Sequence, residues 1–243
     1  MQIQERTKVV VFDLGGTLME YKGMPLNWEE YYYQGLQNVN RRNRLNLREE
    51  EVLESVRVLK AYNPRNSGRE YEVAPEVIFR DAAAGWPARP EIETIIDDFF
   101  SGMSLRAHTF DYTEAVISQC RRSGLHVACL TDLPNGMPDR LFRSAITAIE
   151  PLLDLYVSSQ ICGARKPNRK GIDYIASYFG TDVSEILLIG DEKKDETTAI
   201  NAGCGFMYIS EFLKNNPEFY GNCGEESGSY NRRRARNRKK EII

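Results

Sequence analysis

An α/β fold is the architecture this sequence predicts: one parallel sheet with helices packed on it and an all-helical insertion. Two observations carry the prediction. Short apolar runs alternate with helical patterns from residue 112 to residue 209. A matching run, Val9-Val10-Val11-Phe12, stands near the N-terminus, separated from the others by a long stretch with helical spacing alone. Strands alternating with helices through short loops imply right-handed crossovers and one parallel sheet.

The first run is four apolar residues, three of them β-branched, which suits a central strand buried on both faces. Leu18 to Pro25 reads as a linker. Asn27 is placed to cap a helix through Trp28, Tyr31, Tyr32, Leu36 and Val39. Residues 45–62 put Leu47, Val52, Val56 and Leu59 at helical spacing, and the Asn63-Pro64-Arg65-Asn66-Ser67-Gly68 segment reads as a loop. A third helix is expected over 69–84, broken or kinked at Pro75, and a fourth from Pro90 to about Gly102. No strand signal appears in this block.

The α/β pattern then resumes. Helices are expected over 112–123, 138–149, 168–179 and about 195–202; Gly124, Gly180 and Gly203 end three of them. Strands are expected over 125–130, 155–158, 186–189 and 206–209. The organisation predicted is a core of residues 1–18 and 106–214, a helical insertion over 19–105, and a basic tail over 215–243 that reads as disordered.

Composition narrows the class. At 243 residues, with 42% hydrophobic and 28% charged residues, the chain has the balance of a globular protein with a sizeable core. No apolar run approaches the roughly 20 residues that span a membrane, and the polar start Met1 to Arg6 predicts no signal peptide. Five scattered cysteines without C-x-x-C spacing argue against disulfides or zinc and for a reducing, cytoplasmic setting. The net charge of -3 combines seven Arg or Lys and one Glu in residues 231–243 with an acidic remainder. Nucleic acid is therefore not an expected partner, except through the tail; a solvated tail is the plainer reading.

The chemistry is expected where the strands end. Asp13 closes the first strand at its carboxyl end, where open α/β sheets place ligands. Gly15 and Gly16 let backbone N–H groups approach an anion, and Thr17 adds a hydroxyl. A bare turn capped by Asp is the plain alternative. Parallel strands put Thr131, the loop before Lys166, and Asp191 with Asp195 on the same edge. Carboxylates, a cation and a hydroxyl around an anion nest suit phosphoryl transfer. Each has a bland counterpart: a surface lysine at 166, a strand-end hydroxyl at 131, a helix-dipole carboxylate at 195, a turn-capping side chain at Asp132.

These residues resemble the haloacid dehalogenase (HAD) superfamily of hydrolases. Asp13 matches its nucleophile, Thr131 its second motif, Lys166-Pro167 its third and Gly190-Asp191-x-x-x-Asp195 its fourth, in order across roughly 8–210. Sugar kinases of the actin-like class also carry Asp-X-Gly-Gly-Thr, but they continue into β-hairpin strands, whereas a helical block is expected here. The resemblance implies a Rossmann-like core with a helical cap, and phosphoryl transfer from a small phosphorylated substrate through an aspartyl-phosphate at Asp13. It implies Mg²⁺ held by Asp13, Asp191 and the carbonyl of Gly15, with Asp195 tuning the site. It also implies charge compensation by Lys166, and phosphoryl binding by Thr131 and by N–H groups near Gly16 and Asp132.

One departure matters. Phosphatases of this family carry a second Asp two residues after the nucleophile, and here that residue is Gly15. Its carbonyl survives; its acid–base function does not. Glu20, Tyr21 and His108 are candidate replacements, while His126 starts a strand at the wrong end. A C–P hydrolase would need a cap lysine such as Lys22 or Lys60, and a non-catalytic protein that binds phosphate ligands or other proteins is a third reading. Trp28, Tyr31, Tyr32 and Tyr33 are candidates for stacking on a substrate or for packing the cap. Substrate and oligomeric state are not legible.

Overall fold

A computed structural model describes residues 5–220. The sheet has five parallel strands in the order β5-β4-β1-β6-β7: β1 (Val9–Phe12), β4 (His126–Thr131), β5 (Leu155–Ser158), β6 (Ile186–Gly190) and β7 (Gly205–Tyr208). Register pairs Phe12 with Cys129 on one side and with Ile189 on the other. β1 is fully buried because both of its faces are covered. Val10 and Phe12 point into one apolar cluster with Val127, Cys129 and Ile189. Val9 and Val11 point into another with Ala128, Leu130 and Leu188. That is the period-2 alternation of a strand between two helical layers. The fold is Rossmann-like.

α6 (Thr113–Arg122) and α11 (Ile209–Asn215) cover the first face; α9 (Lys170–Phe179) and α10 (Lys193–Ala202) cover the second. α9 comes so close to β4 that a Cβ on Gly171 would stand 2.4 Å from Leu130. α7 (Asp139–Ala145) is shorter than expected and is followed by a 3₁₀ turn over Glu150–Leu152, where Pro151 falls. A short α8 (Ser159–Cys162) precedes the Lys166 loop.

The insertion contains α1 (Tyr32–Asn43), α2 (Glu49–Tyr62), α3 (Pro64–Ser67), α4 (Pro75–Ala82) and α5 (Ile92–Gly102). α1 and α5 pack closely because residue 35 is glycine; a Cβ there would meet Phe99 at 2.6 Å. Phe79, Phe99 and Phe100 meet edge to face at 4.9 to 6.2 Å, the arrangement ring quadrupoles favour. Their cluster is continuous with the first face of the sheet.

Several expectations need correction. Residues 19–21 are not a linker: β2 (Met19–Tyr21) pairs antiparallel with β3 (Ala107–Thr109), so a two-stranded ribbon borders the helical block at both ends. Asn27 does accept a bond from the Glu29 N–H at 3.2 Å, but the first turn is 3₁₀ and the α-helix starts at Tyr32. The helix expected over 69–84 is only α4, because Pro75 opens it at the first turn, where a missing N–H costs nothing. The loop after Tyr62 contains α3, capped by Asn63, whose side chain accepts from Arg65 N. Within the stretch expected as tail from residue 215, Pro217–Tyr220 forms a 3₁₀ turn, Asn216 and Phe219 are buried, and Phe219 stacks on Phe212. The Arg- and Lys-rich stretch itself lies outside the described residues. No helix among the described residues is long and apolar enough to cross a membrane.

Candidate active site

Asp13 extends the β1 ladder by one residue, its N–H donating to Ile189 O at 2.9 Å. The next turn is tight. Gly16, at φ 88, donates its N–H to Met19 O at 2.7 Å, and Thr17, Leu18 and Met19 all direct N–H groups at Leu14 O. Glycine is suited to that positive φ. The turn leaves Asp13 buried and Gly15 exposed to a cavity of about 400 Å³ between the sheet edge and the insertion.

Lys166 brings the acidic residues together. Its Nζ donates to Asp13 Oδ1 at 2.7 Å and to Asp195 Oδ1 at 2.5 Å, with all three side chains nearly inaccessible. It is no surface lysine. Asp195 works in two directions: Oδ2 accepts the N–H groups of Asp191 at 3.2 Å and Glu192 at 2.9 Å, capping α10. Asp195 thus makes the helix-capping bonds and the Lys166 contact at once. Gly190 permits this, since a Cβ there would lie 2.6 Å from the Asp195 carboxyl. Asp191 accepts from Thr17 Oγ1 at 3.3 Å. Thr131 lines the cavity at the end of β4, as does Gly16.

Asp132 is tied down on both oxygens, by Lys166 N at 3.0 Å and Lys194 Nζ at 3.2 Å. Burial pushes its pKa up, but Lys194, Arg165 and Lys166 outweigh that and leave it at about 2. Asp13 goes the other way. Burial raises its carboxyl to about 7; Lys166 pulls it down, while Asp195 and Asp191 add to the rise. Burial works against the Lys166 charge, yet Asp13, Asp195 and Asp132 hold it well above its ordinary value, so Lys166 stays protonated.

Carboxylate oxygens of Asp13, Asp191 and Asp195 lie within 4.8 Å of one another. Three buried carboxylates against one buried ammonium leave a net negative pocket of hard oxygen donors. That donor chemistry fits a divalent cation such as Mg²⁺.

Several residues of this region carried no sequence signal. Arg65 of α3 reaches across the cavity to Glu192, with Nη2 to Oε1 at 3.0 Å. Arg165 forms a buried ion pair with Glu72 and donates to Leu133 O at 2.6 Å. Glu72 also takes Arg69 at 3.0 Å and the Ser159 hydroxyl. The backbone follows: Tyr71 bridges Ala164, and Arg165 N donates to Glu70 O at 2.9 Å. Segment 69–73 of the insertion is thus stitched to the loop that delivers Lys166. Only spatial pairing reveals these contacts, since Arg65 and Glu192 are 127 residues apart.

The remaining candidates separate. Glu20 and Tyr21 line the cavity together with Trp28 and Tyr32. Tyr32 is buried and receives Asn135 Nδ2 at 3.3 Å, Trp28 packs edge-on to Tyr21 at 5.2 Å, and Tyr33 faces outward to Glu49. His108 sits opposite Glu20 in the ribbon without lining the cavity. Lys22 and Lys60 are exposed and do not line it. His126 stacks on Phe179 at the opposite end of the sheet.

Comparison with known proteins gives the family and the fold. Phosphoglycolate phosphatase of Thiobacillus denitrificans is 29% identical over 102 residues, covering 42% of this chain and 44% of that protein. Its namesake from Vibrio parahaemolyticus is 25% identical over 135 residues, covering 51% and 58%. The chain thus spans about half the length of the curated relatives it matches. Among solved structures, CbbY from Rhodobacter sphaeroides in complex with phosphate aligns with a TM-score of 0.52 at 13% identity, over 83% of this chain and 85% of that one. A predicted phosphoglycolate phosphatase from Haemophilus somnus gives 0.52 at 18%, over 83% and 84%. These structural likenesses show the fold. The sequence profile of the haloacid dehalogenase-like hydrolases matches residues 7–203, and the chain belongs to that family.

Proposed function

We propose that this chain is a Mg²⁺-dependent phosphohydrolase acting on a small phosphorylated metabolite through a phosphoaspartate at Asp13. One observation carries the reading: Asp13 stands buried at the cavity floor with the Lys166 ammonium 2.7 Å away and two further carboxylates beside it. Asp13 is the nucleophile, its attack on phosphorus expelling the alkoxide or aryloxide. Lys166 offsets negative charge on Asp13 and on the transferring group. Thr131 and the N–H groups near Gly16, Thr17 and Asp132 hold phosphoryl oxygens. Asp13, Asp191 and the Gly15 carbonyl would hold Mg²⁺, with Asp195 adjusting the site, and the bound ion would supply charge neutralisation at the transferring phosphoryl group. Residues 1–18 and 106–214 form the catalytic body and 19–105 the cap that selects the substrate.

The cavity favours a compact anion. Arg65 and Arg69 of the cap, Arg165 beside Lys166 and Lys194 of α10 line it. The names of the relatives point the same way, so 2-phosphoglycolate is the first metabolite to try. A C–P hydrolase would need a lysine in the cavity wall of the cap, where neither Lys22 nor Lys60 stands.

The test is Mg²⁺-dependent release of p-nitrophenol from its phosphate ester, whose leaving group needs little protonation. Wild type turns over, Asp13→Asn is inactive, and Gly15→Asp is faster. Silence of both wild type and Gly15→Asp would remove phosphate-ester hydrolysis from consideration.

A further inference from the structure

A Cβ built on Gly15 meets nothing within 4 Å. The volume where a carboxyl two residues beyond the nucleophile would stand is open cavity. Hydrolysis at Asp13 still needs a proton donor for the leaving oxygen and a base for water, so another group must reach that volume.

Four described carboxyls line the cavity: Asp13, Glu20, Asp132 and Glu192. Asp13 is committed to Lys166 and the phosphoryl group. Asp132 is held by Lys194 at 3.2 Å and Glu192 by Arg65 at 3.0 Å. Carboxylates fixed in buried ion pairs make poor proton carriers, because giving up the charge costs the pair. Among these four, Glu20 alone forms no ion pair with a described residue.

Glu20 is also well placed. The turn after Asp13 folds the chain back so that Met19 forms a β-bridge with Gly15. Glu20 is the next residue, half-buried on β2. Directly opposite, in register, stands His108 of β3. Facing residues of an antiparallel pair hold their Cβ atoms about 5 Å apart, so an imidazole flanks the carboxyl on the ribbon. The ribbon anchors this strand, since Lys22 N donates to Arg106 O and Phe110 N to Leu18 O.

Resting on the phosphoaspartate reading above, we propose that Glu20 is the acid–base residue that replaces the carboxyl absent at position 15. As Asp13 Oδ bonds to phosphorus and the P–O bond to the leaving group breaks, the protonated Glu20 carboxyl gives its proton to that oxygen. In the second step a water oxygen attacks phosphorus and Glu20 takes the water's proton. The bond from phosphorus to Asp13 breaks, releasing inorganic phosphate and restoring both starting carboxyl states.

The test uses p-nitrophenyl phosphate with Mg²⁺ and follows both the p-nitrophenol burst and the phosphorylated protein after acid quench. Forming the adduct from this ester needs no acid, whereas water attack needs the base. Glu20→Gln therefore forms the adduct in a burst but turns over about 10²-fold or more slowly, the scale of general base catalysis. The double variant Gly15→Asp/Glu20→Gln recovers turnover to within about tenfold of Gly15→Asp alone, because the restored carboxyl supersedes Glu20. The burst doubles as the folding control. Wild-type turnover in Glu20→Gln, or a double variant as slow as Glu20→Gln, overturns the assignment. Turnover with no adduct trapped in either wild type or Glu20→Gln overturns the phosphoaspartate reading itself.

Discussion

At the scale of single residues, opposite environments divide the acidic side chains of one cavity by role. Asp132 and Asp13 are both buried, yet one is held at about 2 and the other raised to about 7. The difference is the balance of neighbouring charge: Asp132 meets Lys194, Arg165 and Lys166, whereas for Asp13 the pull of Lys166 and Lys194 is opposed by Asp195 and Asp191. Asp132 also accepts the Lys166 backbone N–H, so it fixes the loop rather than the chemistry. Its depressed pKa stabilises the fold above about pH 4, and that contribution disappears as pH falls through about 2. The magnitude is about 2 kcal/mol for a shift of this size. Denaturant melts of wild type and Asp132→Asn should differ by that amount at pH 6 and converge near pH 2. Equal midpoints at pH 6 would show that the ion pairs of Asp132 contribute nothing.

At the scale of elements, the stitch between segment 69–73 and the Lys166 loop ties the insertion to the site. Glu72 and Arg165 are each about 7% exposed or less, with Arg69 and Ser159 completing their bonds. Removing one partner of a buried pair strands the other charge, which costs about 3–5 kcal/mol. Glu72→Ala should lower the thermal midpoint by several degrees and reduce turnover by loosening the loop that carries Lys166. A variant with unchanged melting would place the Glu72 carboxyl in water rather than in the stitch. These elements also show what a sequence conceals. β1 was legible because an apolar run buried on both sides needs no partner to be recognised. β2 and β3 were not, being three residues each and paired across the whole insertion. Pro75 is a beginning rather than the interruption its position suggests, because the residues before it form an extended segment bonded to the core.

For the whole molecule, the parallel sheet converts sequence order into proximity. Asp13, Thr131, Lys166 and Asp191 are far apart along the chain but share one edge, since parallel strands all end on the same side. That is why those positions could be read from strand-end patterns. Arg65, Glu72 and Arg165 could not, because their partners are chosen by the docking of the insertion, and neither could Lys194, whose partner Asp132 stands at the end of a different strand. Packed structure continues past residue 214. Truncation after Lys214 removes the buried Asn216 and the Phe219 ring stacked 6.0 Å from Phe212, and should lower the thermal midpoint. Truncation after Tyr220 should retain both folding and turnover; a large loss of turnover there would give the basic segment a part in catalysis.

The most direct measurement is the mass of the protein quenched in acid during turnover of p-nitrophenyl phosphate with Mg²⁺, followed by mapping of the peptide that holds Val9 to Thr17. The expected result is a species heavier by one phosphoryl group, located on Asp13, absent from Asp13→Asn and depleted in Gly15→Asp as hydrolysis of the adduct accelerates. Turnover with the adduct on another residue, or with none trapped even when Glu20→Gln slows the second step, would contradict nucleophilic catalysis by Asp13.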